Sequence, residues 1–346
     1  MRCGCRGNVD QEQRERVEGA LRETWRKPVR VTEAERLSSG ANQEIWALTA
    51  VADGREVPLI LRRPPDSHQE EHLASLMLTG KQIEIELQRT LHGLGIRVPE
   101  VVAELDGGEG AGVAFVMERL PGVAVPQKIL GDDSYAEARS VLIQQMADAL
   151  ARIHNVSTAD LPPLPSLTAT EQLGRCRAIV DGCELHHPGL EVAFAWLDAN
   201  VPKAAIATLV HGDFRLGNLL VDHSGLSGII DWELAHVGDP MSDLGWLCMR
   251  SWRFSRPELP AAGLGNRGEL FDAYGKAANV DVEPERVRFW EAFGNVRWAV
   301  ICLLQVRRFL VASPEDSHIE HAAIGRRLDE ALYDFFRLID DKEYPL

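Results

Sequence analysis

The sequence predicts an α+β fold in two lobes: a small antiparallel β-sheet with a helix, then a larger and mainly helical part. Three observations predict it. At 346 residues the chain exceeds the usual size of one domain. Its strand-like runs gather in the first third, punctuated by turn formers. Beyond Pro121-Gly122, two residues that interrupt regular structure, the chain becomes mainly helical. The lobes are therefore drawn as 1-120, a sheet preceded by an N-terminal helix, and 121-346.

Taken in order, Asp10 to Trp25 is polar with Val17, Leu21 and Trp25 at helical spacing, and reads as an amphipathic helix. Val29 to Leu37 is strand-like and Ser38-Ser39-Gly40-Ala41-Asn42 is a turn of small residues. Glu44 to Val51 and Val57 to Arg62 are further strands. Asp66 to His92 has helical character divided near Gly80, and Val98 to Glu104 and Ala114 to Glu118 complete the sheet. Beyond the boundary, Ser134-Tyr135-Ala136-Glu137 has the form of a capping box. It opens a helix carrying Leu142, Met146, Ala149, Leu150 and Ile153 on one face and ending near His154, which reads as a satisfied helix-end residue. Thr170 to Leu185, Leu190 to Asn200, Pro240 to Phe254, Gly268 to Ala278, Pro284 to Val311 and Asp316 to Leu338 read as the remaining helices.

A net charge of −15 argues against binding to nucleic acid or to anionic membrane surfaces. The six cysteines (Cys3, Cys5, Cys176, Cys183, Cys248 and Cys302) show no paired metal spacing and fit reduced thiols of a cytoplasmic enzyme. Met1 to Arg36 is charged throughout and lacks a signal-peptide core, and the apolar run Trp298 to Leu304 is too short to span a bilayer. His186-His187 and the His318/His321 pair have no evident third ligand, so neither reads as a metal site. Nothing in the pattern specifies an oligomeric state.

The most informative stretch is His211-Gly212-Asp213-Phe214-Arg215-Leu216-Gly217-Asn218, followed by Ile229-Ile230-Asp231-Trp232. Between Asn218 and Asp231 lie an apolar run, the turn formers Asp222-His223-Ser224-Gly225 and a second apolar run, which together read as a short β-hairpin. A hairpin returns its ends to one place, so Asn218 and Asp231 meet. Both offer oxygen to a hard cation such as Mg²⁺, which keeps waters and needs few protein ligands. Asp213 lies in the loop before the hairpin. A base for a hydroxyl, with an amide and a carboxylate for magnesium, is what phosphoryl transfer from a triphosphate requires. Each residue alone would read as a local turn or cap; their order is what points to chemistry.

These residues resemble the catalytic core of the aminoglycoside phosphotransferase and choline kinase-like family, which has a protein-kinase-like fold. The family's H-G-D, four residues, N and I-D-W pattern stands here as His211-Gly212-Asp213, Asn218 and Ile230-Asp231-Trp232. Gly238-Asp239-Pro240 and Asp243-Leu244-Gly245 match its G-D-P and D-L-G segments. The phrases LRRPP, VMERLPG, HGDFRLGNLL and GDPMSDLGWL are typical of the branch whose members stand alone or are fused to acyl-CoA dehydrogenases. The resemblance spans roughly residues 30 to 310.

It implies Asp213 as catalytic base, Asn218 and Asp231 as metal ligands and Asp243 as a structural brace, with ATP and Mg²⁺ as cofactors. His211 would orient the loop, and Arg215 would contact the transferring phosphate or the acceptor, or else pair with the site's aspartates. For the nucleotide, the turn at Ser39 and Gly40 would offer backbone N–H groups to phosphates. Arg62, where most relatives carry Lys, would be the strand cation; Glu84 would be its helix partner, with Glu86 the local rival. Met117, Glu118 and Leu120 would form the hinge against adenine. The resulting expectation is an ATP-dependent kinase of a small-molecule hydroxyl acceptor. An aminoglycoside, a hydroxy acid or hydroxyacyl-CoA, a choline-like molecule and a sugar all remain open. For an anionic acyl-CoA, Arg250, Arg253, Arg256, Arg307 and Arg308 are the candidate basic patch. The alternative from another class is a nucleotide-binding module without catalysis.

Overall fold

Alternating apolar residues in the first third give strands with two buried faces. The computed structural model of the protein describes residues 11–39, 44–63, 78–105, 113–183, 186–203, 206–311, 319–341 and 344, with Ser38 and Ser39 described by backbone alone. The chain forms two compact units, one ending at Pro121 and the other beginning at Gly122, with Leu78 and Thr79 grouped in the second.

In the first unit, β1 (Val29–Ser39), β2 (Glu44–Ala52), β3 (Arg55–Arg63), β4 (Val101–Leu105) and β5 (Ala114–Glu118) form one antiparallel sheet in the order β1-β2-β3-β5-β4. The β2–β3 hairpin turns on Asp53-Gly54, both at positive φ, the two-residue turn that matches strand twist. Period-two alternation sends Trp46, Leu48, Leu59 and Leu61 to one face, where α1 (Gln11–Trp25) adds Val17 and Leu21. Ala47, Ile60, Phe115 and Met117 go to the other face, where α2 (Lys81–Gly93) adds Ile85. The sheet is thus covered by a helix on each side. The strand expected from Val98 begins instead at Val101, because Pro99 has no N–H for a ladder and its carbonyl is taken by Gln88 Nε2 at 2.8 Å. The helix expected from Asp66 is described only from Lys81 onward; residues 64–77 lie outside the described residues.

The second unit carries α3 (Pro126–Gly131), α4 (Ala136–His154), α5 (Ala169–Gly182), α6 (Pro188–Ala199), β6 (Thr208–Val210), β7 (Leu219–Asp222), β8 (Gly225–Ile229), β9 (His236–Gly238), α7 (Met241–Cys248), α8 (Arg267–Ala278), α9 (Pro284–Val311), α10 (Ile319–Gly325) and α11 (Leu328–Asp340). β7 and β8 form the expected hairpin, and β6 pairs with β9 in a second ribbon. Helix α9 is the axis of this unit. It is buried from Val287 to Arg308 on nearly every side, and α5, α6, α7, α10 and α11 pack on it.

Several expected helices differ in their ends. The capping box at Ser134 does not form. Asp132 accepts the Ser134 N–H at 2.9 Å and its hydroxyl at 2.8 Å, turning the chain into a 3₁₀ segment, so α4 starts later. Capping boxes stand instead at Thr168/Glu171 and Asn266/Glu269. The single helix expected over Pro240 to Phe254 stops at Cys248, and Met249 turns extended (ψ 141°) so that Trp246, Met249 and Trp252 share one cluster. The helix expected over Asp316 to Leu338 is two. Gly325 at the break lets α10 approach α9, where a Cβ would lie 2.1 Å from Val306 Cγ2.

Cys176, Cys248 and Cys302 are buried free thiols, pushed by burial up to about 11, 12 and 12. His187 pairs with Asp329 at 3.3 Å and His321 with Gln305 at 2.7 Å, while His318 lies outside the described residues. Among the described residues no helix is long and apolar enough to cross a membrane.

Helices α7 and α9 nearly touch backbone to backbone at Gly245, where a Cβ would sit 2.6 Å from Glu291 N and from Trp290 C. Ala at a helical Gly normally gains up to about 1 kcal/mol of propensity. Here the clash is with backbone and outweighs that gain. Gly245→Ala is expected to lose about 1–3 kcal/mol in urea unfolding.

Candidate active site

The loop after β6 holds His211, Gly212 and Asp213, and its shape is set by glycine and by a buried acid. Gly212 has φ +81°, and a Cβ there would lie 2.4 Å from Leu234 O, so no other residue fits without displacing the chain. Asp243, in the first turn of α7 and fully buried, accepts the His211 N–H on Oδ2 and the Gly212 N–H on Oδ1, each at 2.9 Å. His154 Nε2 lies 3.1 Å from the same Oδ2, and His154 Nδ1 lies 2.7 Å from the Tyr274 hydroxyl. Burial alone would raise the Asp243 pKa. The His154 hydrogen bond, the charges of His154 and His211 and the backbone N–H outweigh burial and hold the carboxyl below its ordinary value.

His211 ties the loop to the hairpin. Its Nε2 donates to Ile230 O at 3.1 Å and its Nδ1 accepts the Asp213 N–H at 3.2 Å, so both ring nitrogens are spent on backbone. It packs at 4.5 Å from the Trp232 ring.

The Asp213 carboxylate receives three side-chain N–H groups. Arg215 Nε donates to Oδ1 at 2.9 Å, Trp246 Nε1 to Oδ1 at 2.7 Å and Asn218 Nδ2 to Oδ2 at 2.6 Å. Arg215 therefore pairs with Asp213, and its guanidinium lies 4.8 Å over the Trp252 ring. Burial opposes its charge, but Asp213, with Asp231 and Glu233 beyond it, holds its pKa above the ordinary arginine value. Arg297 on α9 donates to Gly212 O at 3.0 Å and covers the Trp246 ring at 5.0 Å.

The hairpin brings Asn218 and Asp231 together as its strand-turn-strand pattern requires. Ile230 N–H donates to Asn218 O at 3.0 Å, so Asp231 is the next residue beyond that pair. Asp231 has φ +71°, a left-handed conformation uncommon outside glycine and often found at functional sites. The Asn218 amide nitrogen is turned to Asp213, which leaves the amide oxygen as the end available to a cation. An amide oxygen and a carboxylate are hard donors, and this sparse pair fits Mg²⁺. Among the described residues no three His, Cys, Asp or Glu side chains converge as a softer metal would need.

In the first unit, Arg62 Nη1 lies 2.8 Å from Glu84 Oε1, with side chains 7% and 1% exposed. Lys81 also pairs with Glu84, the Arg62 guanidinium lies 5.6 Å from the Phe115 ring, and Glu86 is exposed. Arg63, one residue on, turns to Glu44 on the opposite strand face. Met117 and Glu118 end β5; Glu118 N–H donates to Glu100 O at 2.9 Å and Arg119 N–H to Pro58 O at 3.2 Å. Leu120 makes no backbone hydrogen bond among the described residues. Ser39 ends β1 opposite Glu44, and Gly40 lies outside the described residues.

The five arginines considered as a basic patch are tied to different groups. Arg250 pairs with Asp334, Arg253 with Glu291, Arg256 with Leu130 O and Arg307 with Gly182 O, while Arg308 is buried. Sequence reading missed Trp246 and Arg297. Trp246 stands one turn after Asp243 on the same helix face, the spacing that would have suggested it; Arg297 left no signal.

The second unit also holds a cavity of about 760 Å³ lined in part by Arg250, Trp252, Phe254, Tyr333 and Asp334. Burial pushes the Asp334 carboxyl up to about 6.

A family model described as the phosphotransferase enzyme family matches residues 33–289. Acyl-CoA dehydrogenase family member 10 of Mus musculus is 25% identical over 304 residues, covering 80% of this chain and 27% of that protein. The chain spans roughly a quarter to a third of the length of the first such relatives it matches. Among solved structures, a putative aminoglycoside phosphotransferase from Ralstonia eutropha superposes with a TM-score of 0.72 at 20% identity, covering 94% of this chain and 97% of that one. Aminoglycoside phosphotransferase APH(4)-Ia, solved as a thermostable mutant in a ternary complex with ADP and hygromycin B, gives a TM-score of 0.61 at 16% identity over 92% of this chain and 98% of its own. Both structures share the protein-kinase-like fold with this chain.

Asp243→Asn is expected to cost about 3–5 kcal/mol at neutral pH, since it breaks a buried charged network and leaves a loop N–H facing an amide N–H. The folded-state pKa of Asp243 is depressed. Its contribution is therefore complete above the unfolded-state pKa and is lost as the pH falls through the folded one. Urea unfolding of both proteins at neutral pH and below about pH 4 should show the difference shrinking in acid.

Proposed function

The chain belongs to the phosphotransferase enzyme family, and from that footing we propose that it is an ATP-dependent small-molecule kinase with Asp213 as base and Asn218 and Asp231 as the magnesium ligands. The observation that carries this reading is the joint placement of Asp213, Asn218 and the residue before Asp231 by direct hydrogen bonds within one loop and hairpin. A pure nucleotide binder has no need of a carboxylate held in this way, which counts against the non-catalytic alternative.

The acceptor hydroxyl gives its proton to Asp213 as its oxygen forms a bond to the γ-phosphorus. The bridging P–O bond to ADP breaks, and its electron pair leaves with ADP. Magnesium, when bound at Asn218 and Asp231, supplies neutralising charge to the phosphates. The protein's own contribution is positioning and fixed electrostatics. Asp243 and Gly212 hold the loop, His211 orients it, and Arg215 supplies positive charge beside Asp213.

For the nucleotide, Arg62 is proposed as the phosphate-binding cation, aimed by Glu84. Its planar fork binds phosphate bidentately where a lysine offers a point charge. The chain at Met117, Glu118 and Leu120 is proposed for the adenine, and the turn at Ser39 and Gly40 for phosphate. The ADP in the APH(4)-Ia complex supports nucleotide use. For the acceptor, the cavity behind Trp252 has the size of a small-molecule site and adjoins the Trp252 ring that Arg215 covers.

Hydroxylated metabolites, hydroxyacyl-CoAs and aminoglycosides screened for ADP release should give at least one acceptor. With it, Asp213→Ala should lose at least about 100-fold in kcat while still binding nucleotide. Undiminished phosphorylation by that variant sinks the mechanism. Asn218→Ala and Asp231→Ala should abolish the Mg²⁺ dependence of nucleotide binding by calorimetry, and Arg62→Ala should weaken that binding about ten-fold or more.

A further inference from the structure

Building on the kinase reading, we propose that Trp246 is a positioning residue for the transfer: its indole N–H, held from α9 by Arg297, pins one oxygen of Asp213 so that the other is presented to the acceptor hydroxyl. An ionised carboxylate has about two acceptor sites on each oxygen. On Oδ1 both are filled, by Trp246 Nε1 at 2.7 Å and Arg215 Nε at 2.9 Å. Oδ2 takes a single N–H among the described residues, from Asn218 at 2.6 Å. Among the described residues one site on Oδ2 is therefore left, from which Asp213 can accept a proton without first breaking a hydrogen bond.

The indole is gripped from several sides. Its ring lies 5.3 Å from Trp252, and the Arg297 guanidinium lies 5.0 Å over it. The same guanidinium donates to Gly212 O at 3.0 Å, so Arg297 holds both the backbone before Asp213 and the ring that holds its carboxylate. Two glycines make room. Gly245, beside Trp246, brings α7 against α9, and at Gly294 a Cβ would meet Met249 Sδ at 2.6 Å and Trp246 Cε3 at 3.3 Å.

Among the described residues, the buried indole nitrogens of Trp232, Trp252 and Trp298 meet no side-chain or backbone acceptor. Trp246, on the helix that carries Asp243, has its N–H directed at the proposed base.

The test is Trp246→Phe, which keeps an aromatic ring and removes the donor. With MgATP and water as acceptor, kcat should fall about ten-fold or more, KM for MgATP should stay within about two-fold, and the urea midpoint should stay close to wild type. Arg297→Lys should keep more of the rate than Arg297→Met. Independently of turnover, nucleotide-free protein labelled with ¹⁵N-Trp should show the Trp246 indole cross-peak, identified by its loss in Trp246→Phe, moving upfield in Asp213→Asn. An unmoved cross-peak, or a Trp246→Phe protein with wild-type kcat, overturns the positioning role. Equal MgATP turnover by wild type and Asp213→Ala would instead overturn the kinase reading, and the cross-peak would still decide the contact.

Discussion

The second unit's site depends on one buried carboxylate. Asp243 has no exposure to solvent, yet it is held in its charged form by two backbone N–H groups and a histidine. A buried charge left unpaired is expensive, and one that is paired and hydrogen-bonded fixes its neighbours. What Asp243 fixes is the peptide run His211-Gly212, and therefore the direction in which Asp213 leaves the chain. The anchor reaches outward through His154 to Tyr274, so α4, α7 and α8 all contribute to holding one loop.

Around that anchor, positive charge and aromatic surface alternate. Arg215 lies over Trp252 and Arg297 over Trp246, and the two rings contact each other. Such stacking keeps guanidinium groups in place, because arginine is weakly hydrated and planar. Two backbone features complete the arrangement. Gly212 and Asp231 both occupy the left-handed region; at Gly212 a side chain would strike Leu234 O, whereas Asp231 carries one.

The first unit solves a different problem, a buried cation on a strand. Arg62 follows Ile60 on the face covered by α2, so its charge has to be met there, and Glu84 meets it. Lys81 joins the same carboxylate. The helix-sheet packing that buries Ile85 and Phe115 is therefore also what orients the guanidinium.

The sequence by itself determined whatever depends on local period and short spacing. The two-residue period of β3 is enough to send Arg62 and Arg63 to opposite sides. The runs flanking Asp222 to Gly225 predicted the hairpin that carries Asn218 to Asp231's neighbour. The tertiary structure decided what depends on close approach between distant segments. Met249 leaves the helix for the Trp246 and Trp252 cluster, Gly325 breaks a helix to let it approach α9, and Arg297 reaches the loop from 85 residues away. The physical reason is range. Hydrogen-bonding geometry and side-chain periodicity act within a few residues and leave a mark in the order of the letters. Packing between α7 and α9 depends on shapes that no single segment contains.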